Sequence, residues 1–131
     1  MRWERWLARV NAMVIAGLVI LLVSCGGKVR EVTWDDNGRR LETAVGQTVI
    51  IRLDSDPTSG NTWVIEARDD EALAPITVGA FRRNEDGTGG TQEFTFEAKI
   101  GRDVNLRLAY RPVDDATAPP EKVFAVEVAI R

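Results

Sequence analysis

The chain has 131 residues, of which 44% are hydrophobic and 28% are charged. This balance is typical of one small globular domain and excludes extended disorder. The formal net charge of -3 gives no basic field for nucleic acid, so no nucleic-acid partner is expected. The chain contains no histidine, which removes the usual base of a hydrolytic triad.

Residues 1–24 carry the pattern of a secretory signal peptide. Three arginines precede an apolar run from Ala12 to Val23, which is shorter than the roughly 20 residues that span a bilayer. The run ends in the letters LVSC, and this ending resembles the lipobox of bacterial lipoproteins. The resemblance implies cleavage before Cys25 and acylation of its sulfur and amine. A plain N-terminal anchor helix with an unmodified cysteine is the alternative.

Lipoprotein processing would leave a short tether and a folded domain. Residues 25–28 would be the acylated cysteine and its tether, and residues 29–131 would form the domain. One acyl chain holds a protein only marginally on a membrane, whereas two or more hold it stably. We therefore expect a lipid-anchored protein of the bacterial cell envelope that faces outside the cytoplasm. With Cys25 acylated, the domain has no free thiol and no disulfide.

Alternation of apolar and polar residues dominates from Val29 onward and predicts half-buried strands. The strands are predicted at residues 29–34, 39–44, 47–53, 61–67, 75–82, 91–100, 103–110 and 122–130. One helical turn is predicted at 69–74. Seven or eight short strands favour an immunoglobulin-like antiparallel β-sandwich, with a small closed barrel as the alternative. Trp63 shares a face of its strand with Ile65, so it is expected in the core.

Three polar segments, at 56–63, 84–90 and 111–120, contain the connections after the third, fifth and seventh predicted strands. Successive connections of an up-and-down sandwich alternate between its two ends, so these three should gather at one end. Loops on a rigid sandwich are a common place for binding. The alternative is that these loops are merely tolerated on the surface.

The letters DPTSGNTW, GTGG and RPV follow one another between predicted strands. In that order they resemble the three loops of the chagasin-type inhibitors of papain-like cysteine peptidases. The resemblance implies a protein without catalytic residues, whose loops form a wedge that reversibly plugs the active-site cleft of the peptidase. The binding residues that it implies are Asp56, Pro57, Thr58, Ser59, Gly60, Asn61, Gly87, Thr88, Gly89, Gly90, Arg111, Pro112 and Val113. The chain departs from the family at Asp56 and Ser59, where Asn and Thr are usual. It also departs at Asn61 and Val113, where aromatic residues are usual.

The first motif is expected to be a stiff loop. Pro57 fixes its own φ and Gly60 can take a positive φ, so the hydroxyls of Thr58 and Ser59 should be displayed at the tip. By resemblance, Thr58 lies closest to the catalytic Cys–His pair of the target.

The other two motifs suggest backbone contacts and a stiff third loop. Gly89 and Gly90 lack side chains, so their backbone can approach a partner strand, although a flexible hairpin tip is the alternative. Pro112 stiffens the third loop. Arg111 is expected to hold the loops together through backbone carbonyls or Asp56, with a solvated arginine as the alternative.

A calcium loop, an enzyme and an adhesive module are the other interpretations. If the letters DSDPTSG began an EF-hand loop, Ser59 and Ile65 would occupy the positions that need Gly and Glu, so the match fails. A looser calcium site between loops stays open. Paired aspartates lie in predicted turns, where they are usually solvated, and do not indicate an enzyme. An envelope lipoprotein that binds a carbohydrate or another protein, without inhibiting a peptidase, is the alternative function. We expect a monomer without cofactor or metal.

Overall fold

A computed structural model describes residues 28–131 of the chain. The predicted signal peptide and the acylation site at Cys25 lie outside the described residues. The strands are β1 (Val29–Val32), β2 (Arg40–Thr43), β3 (Thr48–Ser55), β4 (Asn61–Ala67), β5 (Leu73–Arg83), β6 (Gly90–Ala98), β7 (Asp103–Pro112) and β8 (Lys122–Ile130). Short 3₁₀ turns occupy Trp34–Asp36 and Pro57–Ser59. Within residues 28–131 there is no helix with the length and apolarity needed to cross a bilayer.

The strands make two four-stranded sheets. One sheet has the order β1-β3-β6-β5 and the other has the order β2-β8-β7-β4. Both sheets contribute fully buried side chains to one core, among them Phe94 and Phe96 from the first and Leu108 and Phe124 from the second. Trp63 is also buried there, as its place in the alternation predicts. The β-sandwich is therefore confirmed, and the two separate sheets exclude the closed barrel for the described residues.

The first two strands make the sheets mixed, whereas purely antiparallel sheets were predicted. β1 runs parallel to β3, and β2 runs parallel to β8. Strands that follow each other in an antiparallel ladder are joined by a hairpin within one sheet. Here the segment 33–39 instead crosses from the first sheet to the second. β1 and β2 therefore become short edge strands of two different sheets. Their directions follow from the crossover between the sheets.

β5 is longer than the strand predicted at 75–82. In place of the helical turn predicted at 69–74, the chain makes one turn, in which the Leu73 N–H donates to the Asp69 carbonyl at 2.8 Å. The strand β5 then begins at Leu73, inside the predicted segment. β5 is an edge strand, and its register against β6 shifts twice. An edge position tolerates Pro75, which cannot donate to a ladder.

The connections after β3, β5 and β7 lie at one end of the sandwich, which we call the loop pole. Ser55 pairs with Gly90 where β3 ends and β6 begins, and the Val113 N–H donates to the Gly60 carbonyl at 2.9 Å. The gathering predicted from the order of the connections is therefore present. The loop pole comprises residues 56–60 (the first loop), 84–89 (the second loop) and 113–121 (the third loop).

Candidate functional site

The first loop is a tight turn held by its own side chains. Asp56 is extended, Pro57 begins the 3₁₀ turn, and Gly60 closes it with a φ of 78°. The Asp56 carboxylate accepts hydrogen bonds from the Thr58 backbone N–H at 3.0 Å and from the Thr58 hydroxyl at 2.7 Å. The Ser59 hydroxyl donates to the Asp56 carbonyl at 2.6 Å. The two hydroxyls expected at the tip are therefore both bonded within the loop.

Tyr110 of β7 supports the first loop from beneath, a role that no sequence motif indicated. The Asp56 N–H donates to the phenolic oxygen at 2.9 Å, and Ser59 Oγ lies 3.1 Å from the same oxygen. The ring is buried and packs against Trp63, with the ring centroids 5.1 Å apart. A buried tyrosine hydroxyl usually finds a hydrogen-bond partner. The place of Tyr110 near the end of an apolar strand was therefore a signal for such a contact.

Gln92 of β6 joins the two sheets directly below the first loop, and its side chain is buried. Its Oε1 atom accepts from the Ser55 hydroxyl of the first sheet at 2.9 Å. It also accepts from the Thr62 hydroxyl at 3.2 Å and from the Trp63 backbone N–H at 2.9 Å, both of the second sheet. One amide oxygen therefore bridges the end of β3 and the start of β4, between which the first loop runs. No motif in the sequence indicated this role.

The second loop is closed by hydrogen bonds of its own. The Asn84 N–H donates to the Gly89 carbonyl at 3.1 Å, and the Asn84 side-chain amide donates to the Thr88 carbonyl at 2.8 Å. The Asp86 carboxylate accepts from the Thr88 N–H at 3.0 Å and from its hydroxyl at 2.8 Å. Gly89 has a φ of 59°, which other residues adopt only with strain. The loop is therefore internally bonded rather than an open hairpin tip.

Gly90 lies below the second loop, inside the first sheet. It is buried and pairs with residues of both β3 and β5. A Cβ atom at this position would lie 2.2 Å from the Arg82 carbonyl oxygen and 2.6 Å from Phe81 Cζ. Packing in the sheet therefore requires a glycine at position 90, whereas Gly87 and Gly89 belong to the loop itself.

The third loop begins beside the first. Asn61 pairs with Pro112 across β4 and β7, and the next residue, Val113, donates its N–H to Gly60. The Val113 side chain is 71% exposed, so it presents an apolar surface at the loop pole. The Asn61 side chain donates to the Glu121 carboxylate at 2.7 Å. The first and third loops therefore form one continuous surface.

Arg111 fixes the base of the third loop. Its guanidinium donates to the Glu66 carboxylate and to the Ala118 carbonyl. The expected contact with a loop carbonyl is therefore present, whereas Asp56, the other expected partner, bonds with Thr58 instead. Hydrogen bonds from Arg107 and Arg111 hold the pKa of the Glu66 carboxyl below its usual range.

Each loop contains an aspartate that clasps the threonine two residues later. The carboxylate oxygen lies 3.0 Å from the threonine backbone nitrogen in all three loops, and 2.7 to 2.8 Å from the hydroxyl oxygen. These hydrogen bonds hold the pKa of each aspartate below its usual range, because they favour the charged form. The pairs are Asp56 and Thr58, Asp86 and Thr88, and Asp115 and Thr117. One local device therefore shapes all three loop tips.

The loop pole is strongly acidic. The three loops contain six aspartates and glutamates and no lysine or arginine. Within residues 28–131, no group of three or more His, Cys, Asp or Glu side chains is placed to hold a metal ion.

The model of the chagasin family of peptidase inhibitors, I42, matches residues 42–128, a range that includes all three loops. The chain belongs to the chagasin family. This membership confirms the family that the loop motifs indicated, and it confirms that the protein is an inhibitor-family member rather than an enzyme. No curated protein sequence is significantly similar to the chain.

Solved structures with a similar fold include a cysteine protease inhibitor and two further proteins. The cysteine protease inhibitor EhICP2 from Entamoeba histolytica has a TM-score of 0.70 and 16% identity, covering 79% of this chain and 95% of its own. Amebosin has a TM-score of 0.60 and 23% identity, covering 80% and 100%. PbICP-C, solved in complex with falcipain-2, has a TM-score of 0.52 and 9% identity, covering 82% and 95%. These likenesses confirm the immunoglobulin-like β-sandwich.

Proposed function

We propose that the folded domain inhibits papain-like cysteine peptidases by inserting its loop pole into the active-site cleft. The supporting observation is that the loops carrying the family motifs lie together at one pole. The first and third loops are joined by the hydrogen bond from Val113 to Gly60, and the first loop is bonded to Tyr110 beneath it. A preformed surface loses less conformational entropy on binding than a mobile one. Inhibition of this kind is reversible because it needs no covalent step.

The shape of the first loop accounts for an inhibitor that resists cleavage. Attack on a peptide bond requires the reacting atoms to be close and aligned. The 3₁₀ turn at Pro57–Ser59 keeps the chain curled, with the Gly60 N–H donating to the Pro57 carbonyl at 3.2 Å. Thr58 would then lie nearest the catalytic Cys–His pair of the peptidase. Its peptide bonds would still not be presented in an extended form.

The second and third loops would contact the walls of the cleft. Gly87 and Gly89 offer backbone groups without side chains, which suits main-chain hydrogen bonding. Pro112 and the exposed Val113 would supply a stiff apolar contact on the other side. Aromatic anchors supply much of the energy of many interfaces. We therefore expect Val113, and Asn61 beside it, to lower the affinity for peptidases whose clefts accept aromatic side chains.

We further propose that Cys25 is acylated and that a monomeric inhibitor is held on the bacterial cell envelope, outside the cytoplasm. The lipobox-like letters LVSC at the end of the apolar run support this location. Cys25→Ser should abolish incorporation of radiolabelled palmitate and release the protein from the membrane fraction. Unchanged incorporation of the label would reject acylation at this residue.

Inhibition assays with purified residues 26–131 test the peptidase proposal. We expect competitive, reversible inhibition of a papain-like enzyme by the wild-type domain. Thr58→Arg should weaken it strongly, because it enlarges the side chain at the tip of the first loop. Ile76→Arg is the matched control, since Ile76 is 60% exposed on β5. No inhibition at micromolar concentration across several such enzymes would reject the proposal and favour a binding module of another kind.

A further inference from the structure

The end of the sandwich opposite the loop pole, which we call the distal pole, consists of three turns with Lys28 and Arg131 beside them. Backbone hydrogen bonds join these elements to one another. The Val45 N–H donates to the Arg131 carbonyl at 3.1 Å, and the Lys99 N–H donates to the Ala72 carbonyl at 2.8 Å. The turns are residues 44–47, 68–72 and 99–102.

The chain reaches the folded domain at the distal pole. Val29 of β1 pairs with Thr48 at the start of β3, whereas the first loop follows the other end of β3. The eight residues of β3 therefore separate the tether from the loops, a distance of about 26 Å. Residues 26–28 span at most about 10 Å when fully extended. An anchor at Cys25 would hold the distal pole close to the bilayer and keep the loop pole away from it.

Three aliphatic side chains are exposed at the distal pole. Val29 is 55% exposed, Val45 is 51% exposed and Ile100 is 42% exposed. Val29 begins β1, and the other two lie in the turns 44–47 and 99–102. Burying such side chains against another apolar surface is favourable. The boundary between lipid headgroups and acyl chains accepts shallow apolar insertion of this kind.

The loop pole is strongly acidic, whereas acidic and basic residues are nearly balanced at the distal pole. The distal turns, together with Lys28 and Arg131, contain five basic and three acidic residues. Adding Glu97 and Asp103, which pair with Lys99 and Arg131, brings the distal pole to an equal number of each sign. The loop pole has six acidic residues and no basic one. A membrane that contains anionic lipids therefore repels the loop pole far more than the distal pole.

We propose that the distal pole is a membrane-facing surface, with Val29, Val45 and Ile100 at the lipid headgroups and the three loops turned to the aqueous side. The proposal rests on the membrane tether proposed above and not on peptidase inhibition. It holds whether Cys25 is acylated or the apolar run stays in place as the anchor, because both connect to the domain through Lys28. In this orientation the loops meet a peptidase that arrives from solution.

Site-specific fluorescence labelling of the full chain tests the orientation. Cys25 is the one cysteine of the sequence, so the unmodified chain measures background labelling. Val45→Cys places a bimane label at the distal pole, and Ala116→Cys places the same label in the third loop. The proteins are reconstituted in phosphatidylcholine and phosphatidylglycerol vesicles, with or without lipids brominated near the headgroup. We expect the label at position 45 to be quenched several times more strongly than the label at position 116.

Equal quenching at the two positions, or stronger quenching at position 116, would overturn the proposal. Failure of the full chain to float with the vesicles would overturn it as well, since the tether would then be absent. Inhibition of a papain-like peptidase by the same vesicles reports separately on the proposed function. Stronger quenching at position 45 without inhibition supports the membrane-facing orientation and rejects peptidase inhibition. Inhibition with equal quenching at the two positions supports peptidase inhibition and rejects the orientation.

A second pair of variants separates contact with the membrane from tethering alone. In the Val45→Cys chain, Ile100→Glu places a negative charge at the distal pole. Ile76→Glu places the same charge on β5, at a side chain that is 60% exposed. We expect the first substitution to reduce the quenching at position 45 by at least half and the second to leave it unchanged. Equal quenching in both variants would mean that the tether alone positions the domain, and the proposal would fall.

Discussion

The phenolic oxygen of Tyr110 lies 2.9 Å from the backbone nitrogen of Asp56, although the two residues are 54 positions apart. Tyr110 belongs to the sheet that contains β4, whereas Asp56 follows the last residue of β3 in the other sheet. The contact therefore ties the start of the first loop to the strand that leads into the third loop. Because the ring is buried, the position of the loop depends on the packing of the core.

Tyr110→Phe should loosen the first loop while keeping the ring in the core. The loss leaves the Asp56 N–H without its partner, and an unsatisfied donor of this kind costs about 1–3 kcal/mol. We expect urea denaturation to show a loss of stability in this range and inhibition to weaken by about tenfold, which corresponds to about 1.4 kcal/mol. A variant that retains full affinity would show that the hydroxyl does not position the loop for binding.

Gln92→Leu should destabilise the sandwich below the loop pole. The substitution removes the acceptor shared by Ser55, Thr62 and Trp63 and leaves three donors without it. We expect a loss of roughly 2–4 kcal/mol in the free energy of unfolding, measured with urea. Thr62→Val removes one of the three donors and should cost about 1 kcal/mol. Similar losses in the two variants would contradict the bridging role of Gln92.

Two neighbouring glycines should respond differently to alanine. Gly90→Ala forces a Cβ atom into the Arg82 carbonyl, and we expect a loss of about 3 kcal/mol or more because backbone atoms cannot move aside locally. In Gly89→Ala the Cβ would lie 3.4 Å from the Ser55 carbonyl oxygen. The cost there is the strain of a positive φ, roughly 1–2 kcal/mol. Thermal unfolding of both variants measures the difference, and the reverse order would refute it.

Low pH should weaken the three loop clasps. Hydrogen bonds to threonine lower the pKa of Asp56, Asp86 and Asp115 in the folded protein. A carboxyl with a lowered folded pKa stabilises the fold above its unfolded pKa, and this contribution is lost as the pH falls through the folded pKa. We therefore expect stability and inhibition to hold from neutral pH down to about pH 4 and to decline below it.

Replacing the three clasping aspartates together with asparagine provides the control. The amide oxygen still accepts a hydrogen bond but does not titrate in this range. Calorimetry across the acid range should show a smaller decline for this variant than for the wild type. An equal decline would assign the acid sensitivity to other carboxyls, such as Glu66, whose pKa is also lowered.

An aromatic side chain at position 113 should strengthen inhibition if the loop pole enters a peptidase cleft. Val113 is 71% exposed, so Val113→Trp adds apolar surface without disturbing the core. We expect about tenfold tighter inhibition, since a well-placed aromatic anchor contributes upwards of 1 kcal/mol. Val45→Trp, at the distal pole, is the control and should leave the inhibition constant unchanged. An equal gain in both variants would indicate non-specific adhesion.

Much of the fold followed from local patterns. Alternation of apolar and polar side chains located β4 and β8 with the bounds that the structure has. A weaker form of the same pattern located β1, β2 and β5 to within a few residues, and β3, β6 and β7 were found equally closely. Turn chemistry separated the strands, and the order of the connections predicted that the three loops meet. The loop motifs identified the family that the match over residues 42–128 confirms. Each of these signals lies within a few neighbouring residues or follows from counting strands. It can therefore be recognised in the sequence without knowing how the strands pack.

Contacts between distant residues depended on how the strands pack. The crossover at 33–39 turned β1 and β2 into parallel edges, because it moved the chain between sheets where a hairpin would have kept it in one. Gln92 and Tyr110 look like ordinary strand residues in the sequence, yet they hold the first loop in place. Their partners lie 29 and 54 positions away and come within reach only after the two sheets have packed. A hydrogen bond depends on the distance and direction between two groups. Alternation along a strand tells which face a side chain lies on, but not which residue of the other sheet it will meet.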